Sequence, residues 1–460
     1  MLISIIKKVV KLREFIERGI VMAKNMTEGN VPKLLLGFTI PTILGNVFQL
    51  TYNTADSIIV GRFSGEKGLA AIGCAGPIMN IVTFLIVGLC LGASVLMSEY
   101  YGAGKKETLQ REFSTALLTG LIFTVILSSL LAIFAKPILL LIRTPNDILK
   151  ETTTYLHIIC VGFIATFLYN VYASSLRSIG DSKTPILFLA LSAILNIALD
   201  LLFVAGLGMG VIGAAWATVI SQMVSVSCCI IYVYKKIPTL QLKLHQYVID
   251  MPLFKITVGY SWASAMQQTC LYIGKVFIQA AVNPLGVDSI ATFNAVNRVD
   301  DFALTPEQSI AHSMTVFLAQ NRGAEKKKRV RQGFFWGILI EILYGIFICC
   351  VVFGFSSNIM GIFMDGNSKV RELGVLYLTP MAFFYILPAI TNGIQGYFRG
   401  MGKMKITLVA TFVQIVVRVI CSYLFAPIYG LQGIAFSCFF GWIGMLLYEL
   451  PVLFKHWKKY

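Results

Sequence analysis

The chain has 460 residues, of which 57% are hydrophobic and only 13% charged, and its 38 Lys and Arg exceed its 22 Asp and Glu to leave a formal charge of +16. A soluble domain carries about 25% charged residues, so these figures exclude an ordinary globular protein, and the wealth of Leu, Ile, Val and Phe excludes a disordered one. Basicity in so apolar a chain points to a membrane surface rather than to nucleic acid.

Residues 1–21 form a basic amphipathic segment with no small-residue cleavage site, expected to lie as an interfacial helix and within a cytoplasmic N-terminal stretch of 1–33. Beyond it, polar punctuation cuts the chain into twelve apolar runs near 36–60, 70–97, 113–135, 152–175, 185–205, 211–234, 252–282, 289–320, 333–355, 374–398, 406–427 and 431–454. A hydrocarbon core of about 30 Å needs roughly 20 helical residues, so each run is one span. Barrel strands would instead alternate in polarity over about ten residues. The fold class expected is an all-α polytopic membrane protein with twelve transmembrane helices. The N-terminal segment, the loops after the even-numbered spans and the C-terminus hold 28 basic residues, counting Lys255 at the very start of span 7 with the loop before it, against seven on the other side. This bias places both termini in the cytoplasm of a bacterial cytoplasmic membrane. Lys275, Arg298 and Arg418 remain inside spans.

Internal similarity divides the spans into two sets. SLRSIGDSKTP (175–185) recurs as YFRGMGKMKIT (397–407), YYGAGKK (100–106) as NRGAEKK (321–327) and GLAAIG (68–73) as SIATFN (289–294), at offsets of 221 or 222 residues. Six spans per half is an even number, so the halves enter the membrane in the same sense as a parallel repeat. The expected lobes are 34–234 and 252–454, joined by a cytoplasmic linker at 235–251 and followed by a tail at 455–460. Gly102, Gly104, Gly180 and Gly402 are expected to end helices and form tight turns, since a phosphate-cradling loop would follow a strand.

Ten cysteines, none spaced Cys-x-x-Cys, and four scattered histidines offer no metal framework. The chemistry therefore rests on polar groups inside the spans, which are costly unless paired or hydrated. In span 1, Gln49, Asn53 and Asp56 recur at i, i+4 and i+7 and share a helix face; in span 5, Asn196 and Asp200 share another. Carboxylates and amides meeting in one lobe make a pocket for a proton or a cation, and competition between that ion and a cargo is what antiport requires.

The second half differs in charge. Lys275 aligns with Asp56, Arg418 with Asn196 and Ser422 with Asp200, while span 8 carries Asp300, Asp301 and Glu307 near Arg298. The preferred reading is an internal salt-bridge network that fixes the lobe; the sharper one places Lys275 or Arg418 in a cargo cavity. Glu341 and Glu449 read as interfacial or helix-pairing residues. Met79, Phe84, Met266, Met314, Phe383 and Tyr385 are candidates for an adaptable apolar lining.

IPTILGNVFQLTYNTADSIIVGR, GASVLMSEYYGAGKK, SLRSIGDSKTP and LNIALDLLF, in this order, make the chain from about residue 27 to 454 resemble the multidrug and toxic compound extrusion (MATE) transporters. The resemblance implies a V-shaped fold of two six-helix lobes that exports amphipathic, often cationic, compounds in exchange for H⁺ or Na⁺. It also implies that Gln49, Asp56, Asn196 and Asp200 belong to a cation site in the first lobe, with Tyr155 and Thr218 supplying side-chain oxygens. Na⁺ would suit Asp56, Asn196 and Asp200 as oxygen ligands. The sodium-coupled branch carries acids in spans 7 and 10, where this chain has Gln267, Gln268, Asn392 and Gln395, which favours H⁺. The expected cargo cavity comprises Lys275, Gln267, Gln268, Asp301, Glu307, Arg418, Asn392 and Gln395. The expected function is an ion-coupled exporter of small amphipathic molecules, working in the bilayer as a monomer, without a cofactor or nucleic-acid partner. A flippase for lipid-linked oligosaccharide is the alternative. An intramembrane enzyme is disfavoured because Asp300 and Asp301 are adjacent rather than on one face.

Overall fold

The computed structural model describes residues 24–363 and 368–458, with backbone alone at 52–58, 66, 362–363 and 368. The segment expected at 1–21 lies outside the described residues, as do the side chains of Asn53 and Asp56. The described chain is helical throughout, without strands. Spans 1 and 2 form one run, Val31–Gly102, which starts with Asn30 accepting from the Lys33 amide and breaks at Gly65 (φ 69°, ψ −171°). Span 3 is Lys106–Leu141, span 4 Asn146–Ser178, and span 5 Lys183–Asp200, continued by a π-helical turn at Leu201–Gly206. Span 6 is Gly210–Lys236, span 7 Met251–Val282, span 8 Val287–Gly323 and span 9 Lys327–Phe363. Span 10 is two helices, Ser368–Phe384 and Ile386–Gly400, bent by 46°. Pro388 explains the bend, because it has no N–H for the Phe384 carbonyl one turn earlier. Spans 11 and 12 form the run Met404–Trp457, broken at Gly430 (φ 58°).

Eight helices among the described residues are long and apolar enough to cross a membrane, nine with the bent pair taken as one, and the 54-residue Met404–Trp457 run has length for two. Spans 7 and 8 fall short of that apolarity because Gln267, Gln268 and Lys275 interrupt one and Arg298, Asp300, Asp301 and Glu307 the other. Polar side chains lower the mean hydropathy of these two helices; Gln267, Asp300 and Glu307 are buried, whereas Lys275 and Arg298 are exposed.

Each half has its own core. Phe113, Phe163, Phe167, Tyr172 and Phe188 centre the first, with Phe113–Tyr172 and Phe188–Tyr232 edge-to-face. Phe293, Tyr377, Met381, Tyr385 and Trp442 centre the second. A third cluster joins Met26, Val31, Leu35 and Phe38 at the start of span 1 to Met314, Phe317, Ile394 and Tyr397 of spans 8 and 10, so this end of span 1 packs on the second half.

Close approach between the halves depends on small residues. A Cβ on Gly88 or Gly92 of span 2 would fall 2.4 Å from the Ala265 or Ser261 Cα of span 7. A Cβ on Gly102 would meet the Gln320 carbonyl of span 8, and one on its repeat mate Gly323 would meet the Glu99 carbonyl. Gly102 is thus a helix-packing residue at the end of span 2 rather than a turn residue. The Glu99–Arg322 ion pair lies at the same place, on the side of the membrane that carries the basic loops. Glu112 of span 3 accepts from the Thr257 hydroxyl of span 7 at 2.8 Å, a further tie across the halves.

The turn at Gly104 (φ 71°) matches the one at Glu325 (φ 57°) in the second repeat, and Gly180 (φ 89°) matches Gly402 (φ 71°). Of these four matched turn residues, Glu325 alone adopts the left-handed conformation with a side chain, at a strain of about 1 kcal/mol. Glu325→Gly is therefore expected to raise the thermal unfolding midpoint of the purified protein; a lowered midpoint would show that the Glu325 side chain contributes more than the strain it carries.

Candidate functional site

In the first lobe, Asp200 is fully buried at the end of span 5, and Asn196, 3% exposed, lies one turn before it. The helix widens to π geometry directly after Asp200, a distortion that recurs at functional sites because it breaks the regular hydrogen-bond ladder. The Asn196 amide donates to the Thr218 hydroxyl of span 6 at 3.5 Å, and Thr218 donates to the Ala214 carbonyl at 3.1 Å. The Asn196 carbonyl oxygen is buried without a partner and available to a ligand. Tyr155 of span 4 is buried in the core that spans 4 and 6 share. Gln49, on span 1, is exposed. Asn196, Asp200 and Thr218 thus form one polar patch between spans 5 and 6.

In the second lobe the expected residues divide in two. Lys275 of span 7 pairs with Asp301 of span 8 at 3.0 Å, with side chains 58% and 36% exposed. Asp300, next along the helix, is buried, accepts from the Tyr385 hydroxyl at 2.5 Å and interacts electrostatically with Arg418 of span 11. Cations and acids on three helices therefore compensate one another, with Lys275 meeting Asp301 rather than the Asp300 face. The remaining candidates are drawn inward. The Gln267 amide donates to the Gln395 carbonyl oxygen at 2.5 Å and to the Thr411 hydroxyl at 3.0 Å, and Gln395 also donates to Thr411 at 3.2 Å. Asn392 donates to Glu307 at 3.4 Å. Gln267, Gln395 and Glu307 are buried and Gln268 and Asn392 half-buried, so this set is a network inside the lobe.

Three further groups prove central. Glu341 and Glu449, read as interfacial or helix-pairing residues, have no exposed surface and lie between helices, and Arg399, counted among loop charges, is 9% exposed inside the lobe. The signal available was the presence of two acids in apolar runs. Of the apolar candidates, Met314 and Tyr385 are fully buried and Phe84 and Phe383 exposed, so they do not form one lining.

Two packed sets of spans, each with buried acids and amides, define a polytopic helical membrane transporter. The MatE family model matches residues 41–202 and again 263–424, the two stretches lying 222 residues apart, and the chain belongs to this family. Similar proteins include the probable multidrug resistance protein YpnP of Bacillus subtilis, 28% identical over 417 residues that cover 90% of this chain and 92% of that protein. The FAD transporter of Shewanella oneidensis is 23% identical, covering 82% and 85%. A solved multidrug resistance MATE family transporter in an outward-facing conformation superposes with a TM-score of 0.86 at 22% identity, covering 96% of this chain and all of that one. Transport of the multidrug efflux class is the role that the family and the multidrug resistance relative support.

The half-exposed Lys275–Asp301 pair is worth about 1 kcal/mol or less. The double substitution Lys275→Met with Asp301→Asn should leave the unfolding midpoint nearly unchanged, whereas Lys275→Met alone leaves Asp301 uncompensated and should lower it. Thermal unfolding in detergent distinguishes the two.

Proposed function

We propose that the protein is a secondary antiporter that exports small amphipathic, mainly cationic, compounds in exchange for H⁺. The carrying observation is Asp200, a fully buried carboxylate beside Asn196 at the point where span 5 leaves α-helical geometry. A carboxylate in that position is stable as the acid or as the partner of a cation, and it changes between the two when the lobe rearranges. Asp56 is assigned to the same site from its place on span 1. The mechanical part of the reading rests on the interface between the halves. Gly88, Gly92, Gly102 and Gly323 let the lobes meet on the side of the basic loops, and separating them there while closing the opposite side would present the site to each face in turn.

The pairing of Lys275 with Asp301 favours drug export over a lipid-linked oligosaccharide, because it neutralises the cation that would otherwise hold a diphosphate. The oxygens around Asp200 also suit Na⁺, so the experiment separates the ions. In proteoliposomes with an imposed gradient of H⁺ or of Na⁺, the wild type is expected to move an organic cation such as ethidium against the H⁺ gradient only. Asp200→Asn should lower that exchange at least tenfold. Exchange driven by Na⁺ alone, or undiminished in Asp200→Asn, would contradict the assignment.

A further inference from the structure

Glu307, Glu341 and Glu449 come from spans 8, 9 and 12 and surround the second helix of span 10. That helix presents Asn392, Gln395 and Arg399 at i, i+3 and i+7, on one face. All three acids have no exposed surface. Glu341 lies against the backbone of span 10, its Cγ 3.5 Å from where a Cβ on Gly393 would be. Glu307 and Glu341 sense each other's charge, and Arg399 senses both Glu341 and Glu449. Yet none of the ion pairs closer than 4.0 Å among the described residues involves these four groups. Both oxygens of Glu341 and of Glu449, one of Glu307 and the Arg399 Nε are buried without a hydrogen-bond partner, and Gln395 and the Ala311 backbone approach without completing one.

Fully ionised, three acids and one arginine would leave two uncompensated negative charges in a dry part of the membrane, which is prohibitive unless a positive charge enters. No three His, Cys, Asp or Glu groups among the described residues converge closely enough to hold a metal ion. The ligand that suits acids held apart on three separate spans is the proton. The other titratable or charged groups that face the cluster are His312 and Arg177, which sense Arg399 or its histidine neighbour, and Tyr344, whose hydroxyl is occupied by the Ala303 carbonyl. None of them supplies the missing positive charge at short range.

We propose that Glu307, Glu341 and Glu449, arranged around Arg399 on span 10, form a second proton-binding site, located in the second lobe and separate from Asp200. At the offset of 222 the first lobe has Leu85, Thr119 and Ser227 in their places and Arg177 in place of Arg399, so the site is not a repeat of one in the first half. Its connection to the rest of the lobe is span 10, which carries Gln395 into the Gln267–Thr411 contacts of spans 7 and 11, and Tyr385, at the bend, onto Asp300. Protons that enter or leave the acids around Arg399 change the charge that spans 8, 9 and 12 present to this helix and so bias its packing against them. The role in transport rests on the antiport reading, whereas the binding of protons does not.

Infrared spectroscopy of the purified full chain in lipid tests the site directly, because a protonated carboxyl has its own carbonyl absorption. At neutral pH the wild type should show that band, Glu341→Gln and Glu449→Gln should each reduce it, and Glu341→Asp should retain it. A band of equal size in the wild type and both Gln variants overturns the proposal. In proteoliposomes the same Gln variants should displace the pH midpoint of proton-driven exchange by about one unit, with cargo affinity unchanged; an unmoved midpoint overturns the role in coupling. A wild type that shows the band but no proton-driven exchange refutes the antiport reading and leaves the site in place.

Discussion

A charge in hydrocarbon must meet an opposite charge, a hydrogen-bond donor, water or a proton, and this constraint organises the molecule. Most basic residues avoid it by lying in loops on one side of the membrane. Two of those that remain in the spans meet it through acids, Lys275 paired with Asp301 and Arg418 beside Asp300. What distinguishes this chain is the set of acids left after that pairing. Asp200 occupies the first lobe, and Glu307, Glu341 and Glu449 exceed the single Arg399 in the second.

The same constraint shapes the contact between the halves. Glycines that let span 2 meet span 7 and span 8 give a dry, closely fitted surface with few polar groups to satisfy. The polar ties there, Glu99 with Arg322 and Glu112 with Thr257, reach from one half to the other and lie near the basic loops. An interface held by contacts of this kind separates without leaving several charges stranded in lipid, which is what a rocking motion of two lobes needs. The N-terminal end of span 1 strengthens it, since Met26 accepts from Asn321 and Arg329 through its carbonyl and donates to Gln320 through its amide.

The placement of spans was the most legible part of the sequence, because span length acts locally along the chain. The breaks at Gly65 and Gly430 fall between expected spans, and the matched turns at Gly104 and Glu325 follow the repeat. The bend in span 10 was also signalled, by Pro388, but an apolar run masks a kink. Pairwise contacts were less legible. Lys275 meets Asp301 and Asp300 turns elsewhere because helix rotation decides which of two adjacent acids faces a neighbour, and span 8 directs Asp300 towards Tyr385. The acids around Arg399 were least legible, since Glu341 and Glu449 each stand alone in a span and only the packing of four helices brings them and Glu307 together. Gly102 shows the same limit, as its partner Gln320 lies in the other half.

The central claim is that buried carboxylates exchange protons for cargo. Calorimetric titration of the purified protein with an organic cation, in buffers of different ionisation enthalpy, measures that exchange without a membrane gradient. The account predicts a binding enthalpy that varies with the buffer, reporting protons released as cargo binds, and a smaller release in Asp200→Asn. A binding enthalpy that is the same in every buffer would contradict it.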